Sequence, residues 1–441
     1  MTRPDPITTM RTMTTERIAD HVKFAYWVPN VSGGLVTSTI EQRTDWNYDY
    51  NVKLAQTAEN NGFEYALSQV RYEASYGAEF QHESTSFSLA LLLATQRLKL
   101  IAAVHPPGLW QPGVLAKLGA TADQLSGGRF AVNVVSGWFK DEFTHLGEPW
   151  LEHDERYRRT AEFLQVLRKI WTEDNVDFRG DFYRIHDFTL KPKPLNTSER
   201  PNPEIFQGGN STAARRNGGY YADWYFSNGK DFDGVTEQLV EVRDHARDAN
   251  REVNFGLNGF IIARDTEREA KKEVLREIIA KANKPAVEGF HAAVQQAGNS
   301  TGDKRGMWAD SSFDDLVQYN DGFRTQLIGT PEQIAERIAA YRKRGGGPHP
   351  RRLPALPGGD RILRCPGAAP WCVKLRQPKA IRFRYHFRPP PSRRGRLPTA
   401  CVTRRWSWRA WRCAIAWCAN RTCGSVREPQ PTQRRGGGCA A

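Results

Sequence analysis

From Val22 onward, short apolar runs alternate with longer stretches in which apolar residues recur every three or four positions. The short runs are Val22–Val28, Tyr65–Ser68, Leu98–Val104, Phe130–Val135, Glu204–Gln207, Trp224–Ser227 and Asn254–Ile262, and each is predicted to be a strand. The longer stretches are predicted helices: Tyr50–Asn61, Ser86–Thr95, Pro112–Leu125, Arg156–Trp171, Ser211–Tyr221, Val235–Asn250, Thr266–Ala282 and Pro331–Lys343. Thr330-Pro331-Glu332 places a cap, a proline at the first helical position and an acid at the start of the last helix. Asn61-Gly62 and Gly127-Gly128 supply helix stops. Strand and helix in alternation imply an α/β fold with a parallel sheet.

A closed (β/α)8 TIM barrel is the expected architecture. The alternative, a doubly wound open sheet, lacks a G-x-G-x-x-G after its first strand. Two insertions interrupt the pattern. Val176–Leu190 reads as a β-hairpin around Arg179-Gly180-Asp181, and Lys284–Thr325 is long, polar and placed where an active-site lid is useful.

Seven strands precede Gly346, and the composition changes after it. The 441-residue chain has a net charge of +14, which taken alone points to nucleic acid or an anionic membrane. Residues 347–441 hold 21 Lys and Arg against two acids, so the body before them carries a net charge of −5, suited to a cytoplasmic enzyme. All seven cysteines lie in this tail, so the body has no disulfide framework, and their spacing fits no zinc ribbon. No apolar run reaches spanning length and no signal peptide opens the chain. Neither a metal, a membrane nor a nucleic acid is expected as a partner. Residues 1–16 are polar and expected to be disordered, with Met10 or Met13 as alternative starts.

In the tail, Trp406, Trp408, Trp411 and Trp417 stand among arginines. An aromatic and basic surface for single-stranded nucleic acid is one reading of this. The absence of any hydrophobic period favours another, GC-rich DNA read out of frame. A coding string for Gly347–Pro370, with wobble bases chosen freely, gives DLILAGFLHYQEEIEYFGARVLP when read one base later. That is a buried strand, a turn and an amphipathic helix. The expectation is therefore an extension over 1–16, a barrel domain over 17–346 with a lid at 284–325, and an out-of-frame tail over 347–441. The eighth strand and final helix are lost to a frameshift near Gly346.

In such a barrel, chemistry sits at the C-terminal ends of the strands. Here those ends carry Trp27-Val28-Pro29, Gln69-Val70-Arg71-Tyr72, His105-Pro106-Pro107, Ser136-Gly137-Trp138, Gly208-Gly209-Asn210-Ser211 and Asn258. The Gly208–Ser211 turn opens a helix, so its N–H groups suit a phosphate. Leu125-Ser126-Gly127-Gly128-Arg129-Phe130, then Asn133-Val134-Val135-Ser136-Gly137-Trp138, and His153-Asp154-Glu155-Arg156-Tyr157 are more specific. Together they resemble the bacterial-luciferase-like family of flavin-dependent monooxygenases, over about Val22 to Gly346.

The resemblance implies a TIM barrel, reduced FMN supplied by a separate NAD(P)H-dependent FMN reductase, O2 as co-substrate, and a homo-oligomer (dimer or tetramer). The positions that match the family's flavin contacts are Val70, Arg71, Asn133, Glu142, Arg156, Tyr157 and Ser211. Arg156, Tyr157, Ser211 and the Gly209 turn would give donors to the phosphate, while Asn133 and Ser136 would satisfy polar edges of the ring. Tyr26, Trp27, Trp46, Tyr72, Trp110 and Trp138 are candidate pocket walls. His105 is a candidate base, its alternative role being a structural hydrogen-bond partner. Arg324 matches the family's lid arginine, with a solvent-facing role as the alternative.

Where sulfonate-cleaving relatives carry an Arg and then a His, this chain has Asn258 and Phe260. A neutral amide and a phenyl ring suit an uncharged substrate. The implied reaction is C–S cleavage of dimethyl sulfone to methanesulfinate and formaldehyde. An alkanesulfonate or cyclic-amide oxygenase, or a deazaflavin-dependent reductase on the same fold, are the alternatives.

Overall fold

All seven apolar runs become strands of one parallel sheet. The computed structural model describes residues 22–75, 77–298, 308 and 310–345. Along the chain run β1 (Ala25–Trp27), α1 (Tyr48–Asn60), β2 (Tyr65–Ser68), α2 (Ser84–Ala94), β3 (Lys99–Ala103), α3 (Pro112–Ser126) and β4 (Phe130–Asn133). There follow α4 (Lys140–His145), α5 (His153–Thr172), a hairpin of β5 (Val176–Arg179) and β6 (Arg184–Phe188), then β7 (Glu204–Gly208), α6 (Thr212–Tyr221), β8 (Trp224–Ser227) and α7 (Phe232–Asp248). The last part comprises β9 (Asn254–Leu257), β10 (Ile262–Ala263), α8 (Arg276–Ala280), α9 (Lys284–Gly298), α10 (Phe313–Leu316), β11 (Ile328–Gly329) and α11 (Pro331–Gly345).

The sheet order is β1-β2-β3-β4-β7-β8-β9, so the strands lie in the order in which the chain makes them. Every neighbouring pair is parallel. Residues alternate between its two faces. Ala66, Leu100, Ala102, Phe130, Val132 and Ile205 join the helices in one core. Tyr65, Leu67, Ile101, Ala103, Ala131 and Phe206 join Trp27 and Trp224 in a second, on the face away from the helices. Parallel strands are stable with both faces covered in this way.

At the N-terminal ends of the strands, Glu204 accepts from Lys99 Nζ at 2.9 Å, Trp224 Nε1 at 3.1 Å and Tyr65 Oη at 3.1 Å. Burial works to raise this carboxyl, but Lys99 and the two donors hold it below the usual range. This charged plug closes the N-terminal end of the sheet.

Helix starts follow the sequence signals. Asn47 caps α1 by accepting from Tyr50 N at 2.8 Å, and Ser211 caps α6 by accepting from Ala214 N at 3.2 Å. The hairpin forms as expected, with Gly180 N bonded to Tyr183 O at 2.9 Å.

Two expectations need correction. The run Asn254–Ile262 is not one strand: β9 ends at Leu257, and Ile262–Ala263 pairs instead with β11 in a separate two-stranded parallel sheet. The cause is a crossing segment, since Phe260 N donates to Gly322 O at 3.2 Å and a Cβ on Gly322 would meet Phe260 at 2.8 Å. The run Thr266–Ala282 is a π-helical turn over Glu269–Leu275 followed by α8. Within the lid insertion, α9 occupies the first part and buries Val287, Phe290 and Val294, three and four residues apart, on one face. The proposed eighth strand and final helix, the 1–16 extension and the 347–441 tail lie outside the described residues. No described helix is long and apolar enough to cross a membrane.

Candidate active site

The turn after β7 is shaped for close approach. Gly209 has φ +133°, and a Cβ there would stand 2.7 Å from Ala214 Cβ and 3.1 Å from the Tyr157 hydroxyl. Only glycine fits, and it leaves the Tyr157 phenol beside the N-terminus of α6. Asn217 Nδ2 donates to Tyr157 O at 2.8 Å, which ties α6 to α5. A dianionic phosphate suits this corner, where backbone N–H groups, a helix dipole and a phenol converge. Arg156 lies next to Tyr157 in sequence but faces the protein: Nε donates to Leu151 O at 3.2 Å, Nη1 donates to Gly137 O, and Trp150 lies 4.1 Å from the guanidinium. Burial pulls its pKa below the usual range. The structure thus shows Arg156 holding the Gly137 turn.

At the end of β4, Asn133 is buried, and its Oδ1 has no partner among the described residues. Leaving a buried amide oxygen unmade costs about 1–3 kcal/mol, which a ring N–H of a flavin would relieve. Asn133 and the Gly209 turn therefore fit the two polar ends of FMN. Ser136 does not share this role through its side chain. Its hydroxyl is 2.8 Å from Thr160 Oγ1 in α5, directed at the helix layer. Val70 is buried at the end of β2. Arg71 Nη1 donates to Ser75 Oγ at 2.8 Å, and its guanidinium lies 5.4 Å from Trp138 and 5.5 Å from Tyr319. Glu142 accepts from Tyr72 N, and burial pushes its carboxyl above the usual range.

Aromatic side chains wall the same end of the sheet. Trp138 packs edge-on against Phe290 at 5.2 Å and Trp308 at 5.4 Å, and Phe290 lies 4.4 Å from Tyr319. Trp27 Nε1 donates to Asn258 Oδ1 at 2.8 Å, and Asn258 Nδ2 donates to Asn320 O at 2.8 Å. Tyr72 accepts from Trp110 Nε1 at 2.5 Å. Trp46 stacks on Phe80 at 5.4 Å and tilts onto His82 at 5.0 Å, in a group apart from Trp138.

Tyr26, His105, Phe260 and Arg324 are all engaged within the protein, His105 in the structural role that was its alternative. Tyr26 packs edge-on with Phe63 in the helix-facing core, because it precedes Trp27 in a strand whose residues alternate faces. Its phenol is pushed up by burial and has no partner among the described residues. His105 is fully buried beneath Trp110, with Nε2 2.8 Å from Thr85 Oγ1, and desolvation lowers its pKa to about 4. That is the environment of a neutral packing residue. Phe260 packs at 5.1 Å against Phe323, under the crossing segment. Arg324 forks onto Asp310 with two 2.9 Å bonds, so the lid segment binds itself.

Comparison with known proteins settles the family. The description "Luciferase-like monooxygenase" matches residues 22–347. The chain belongs to this family. It is 60% identical over 324 residues to the "FMNH(2)-dependent dimethylsulfone monooxygenase" of Pseudomonas putida, covering 74% of this chain and 88% of that protein. A protein of the same description from Pseudomonas fluorescens (strain Pf0-1) is also 60% identical over 324 residues, covering 74% and 87%. Among solved structures, DmoA from Hyphomicrobium sulfonivorans shares the fold with a TM-score of 0.60 at 17% identity, over 74% of this chain and 81% of that one. Long-chain alkane monooxygenase (LadA) gives 0.60 at 18% identity, over 74% and 85%. These likenesses confirm an α/β fold of the luciferase-like barrel type.

Sequence reasoning missed several residues that the structure brings to this end of the sheet. Gln318, Tyr319 and Asn320 lie in the insertion flagged as a lid, and no motif marks them individually. Gln318 Oε1 accepts from Gly322 N at 2.7 Å, and Asp321, buried with φ +56°, has its carboxyl pushed up to about 7, chiefly by desolvation.

His105 has a consequence for pH. Its folded pKa lies below the unfolded value of 6.5, so the unfolded chain takes the proton first as pH falls. The resulting stability is complete above about pH 6.5 and is lost progressively toward pH 4. Between pH 7.5 and pH 5, wild-type urea stability should fall by about 2 kcal/mol more than that of His105→Gln. Equal slopes for the two proteins would remove His105 from the titration.

Proposed function

We propose that the chain is a two-component monooxygenase that uses reduced FMN and O2 to cleave a C–S bond of dimethyl sulfone. The 60% identity over 324 residues to two dimethylsulfone monooxygenases carries the reading. Reduced FMN, delivered by a separate NAD(P)H-dependent reductase, supplies two electrons for O2 activation when bound. Dimethyl sulfone, O2 and FMNH2 then yield methanesulfinic acid, formaldehyde, water and FMN. The Gly209 turn, Ser211 and Tyr157 hold the phosphate, and Asn133 orients the ring. Trp27, Trp138, Phe290 and Trp308 exclude water from the reacting end.

The handling of charge supports a neutral substrate. Arg324 is engaged with Asp310, and Arg71 is bonded to Ser75 and covered by two aromatic rings. An anionic sulfonate gains little from cations already engaged, and it must lose its water to enter. Asn258 supports this by the neutrality of its amide, whose atoms are used by Trp27 and Asn320. The acidic, cysteine-free body supports a cytoplasmic setting.

We assign catalysis to residues 17–346 and the tail after Gly346 to a frameshift. The family match over 22–347 supports that boundary. A homo-oligomer is supported by an apolar groove of about 410 Å³ beside α3, lined by Val114, Leu118, Ile170, Ile185 and Phe188. Val114, Leu118 and Leu125 are exposed along one face of that helix.

With photoreduced FMN, the protein with its reading frame restored after codon 346 should release formaldehyde from dimethyl sulfone and none from methanesulfonate, while the 441-residue form should be unstable or inactive. Turnover of the sulfonate alone would overturn the substrate assignment. Leu118→Arg should shift the sedimentation mass to a smaller species; an unchanged mass would exclude this face as the contact. Nucleotide sequencing across codon 346 should show a one-base change of frame, and an intact frame there would end the frameshift proposal.

A further inference from the structure

The turn that opens α6 is held from behind by three buried side chains. Tyr225, fully buried on β8, donates its phenol O–H to Gly209 O. Arg215, in the first turn of α6 and 3% exposed, donates Nε–H to Asn210 O at 3.0 Å. Gln238, fully buried on α7, donates Nε2–H to Asn210 Oδ1 at 2.9 Å, while its Oε1 accepts from Ser227 Oγ. The next carbonyl, Ser211 O, accepts from Arg215 N at 3.0 Å.

The Gly209 carbonyl is thus fixed from β8, the Asn210 carbonyl by the Arg215 side chain of α6, and the Asn210 side chain from α7. In a trans peptide the C=O of one residue and the N–H of the next point in opposite directions. Fixing the Gly209 and Asn210 carbonyls therefore turns the N–H groups of Asn210 and Ser211 the other way. Arg215 itself is no direct phosphate ligand: its Nη1 is bonded to Glu237 at 2.8 Å and Glu241 at 2.6 Å. Two carboxylates cancel its charge and leave the guanidinium acting as a strut.

We infer that Tyr225, Gln238 and Arg215 are positioning residues that make the cofactor site selective for the phosphate of FMN. They act by pre-orienting the N–H groups of the turn, so the phosphate meets donors that need no rearrangement. The inference rests on the reading that Gly209–Ser211 receive that phosphate.

The test compares oxidised FMN with riboflavin, which lacks only the phosphate, by fluorescence titration of the full-length protein. Wild type should bind FMN more tightly than riboflavin. Tyr225→Phe and Gln238→Leu should each weaken FMN by about 3- to 10-fold, the worth of one lost hydrogen bond, and leave riboflavin unchanged within twofold. Tyr225→Phe deletes a single oxygen and keeps the ring packed against Gly218, so it remains informative if Gln238→Leu fails to fold. If wild type prefers FMN but the variants lose both ligands equally, or neither, the positioning role is wrong. If wild type binds both flavins equally, the turn is not the phosphate site, and the inference falls with that reading.

Discussion

One indole hydrogen bond joins the two ends of the sheet. β1 and β9 are its edge strands, and Trp27 Nε1, at the end of β1, reaches Asn258 Oδ1 just past the end of β9. An open parallel sheet has no backbone pairing to fix how far it curls, and its edges are free to seek other partners. The Trp27–Asn258 contact sets that curl where the chemistry lies. The other side of the same amide holds Asn320 O, and Gly229 N donates to that carbonyl as well, at 2.9 Å. The position of the crossing segment over the mouth therefore follows from the same small group of atoms.

That dependence explains why the mouth is apolar. With the crossing segment in place, α9 brings Phe290 against Trp138, and Trp308 closes on both. The cations nearby are matched with carboxylate, hydroxyl or aromatic partners within the protein. Among the buried polar atoms without partners among the described residues are Asn133 Oδ1, both amide atoms of Gln207 and Trp308 Nε1.

The sequence was most informative where local geometry alone decides the outcome. Gly208-Gly209-Asn210-Ser211 announces a tight turn and a capped helix, and no distant contact was needed to read it. The apolar runs gave the strand order for the same reason. Tyr26 and Trp27 show the limit: both are aromatic and adjacent, and the strand puts them on opposite faces, so a phase error of one residue exchanges core for pocket. Asn258 was legible as a departure in charge but not as a fastening, because its partners lie 231 residues before it and 62 after it. Gln238 and Tyr225 carry no motif at all; their hydrogen bonds exist only after α7 and β8 have packed behind the turn.

The indole rings also give the molecule an optical property. Trp27, Trp138 and Trp308 stand at the end of the sheet to which we assign the flavin, while Trp171 is sealed in the helix layer, with Nε1 donating to Ala116 O at 3.0 Å. Flavins absorb where indoles emit, and energy transfer between them falls off steeply with distance. The protein therefore carries its own emitters at the mouth and a buried one in the core. Arrival of the cofactor becomes visible in its intrinsic emission without an added label.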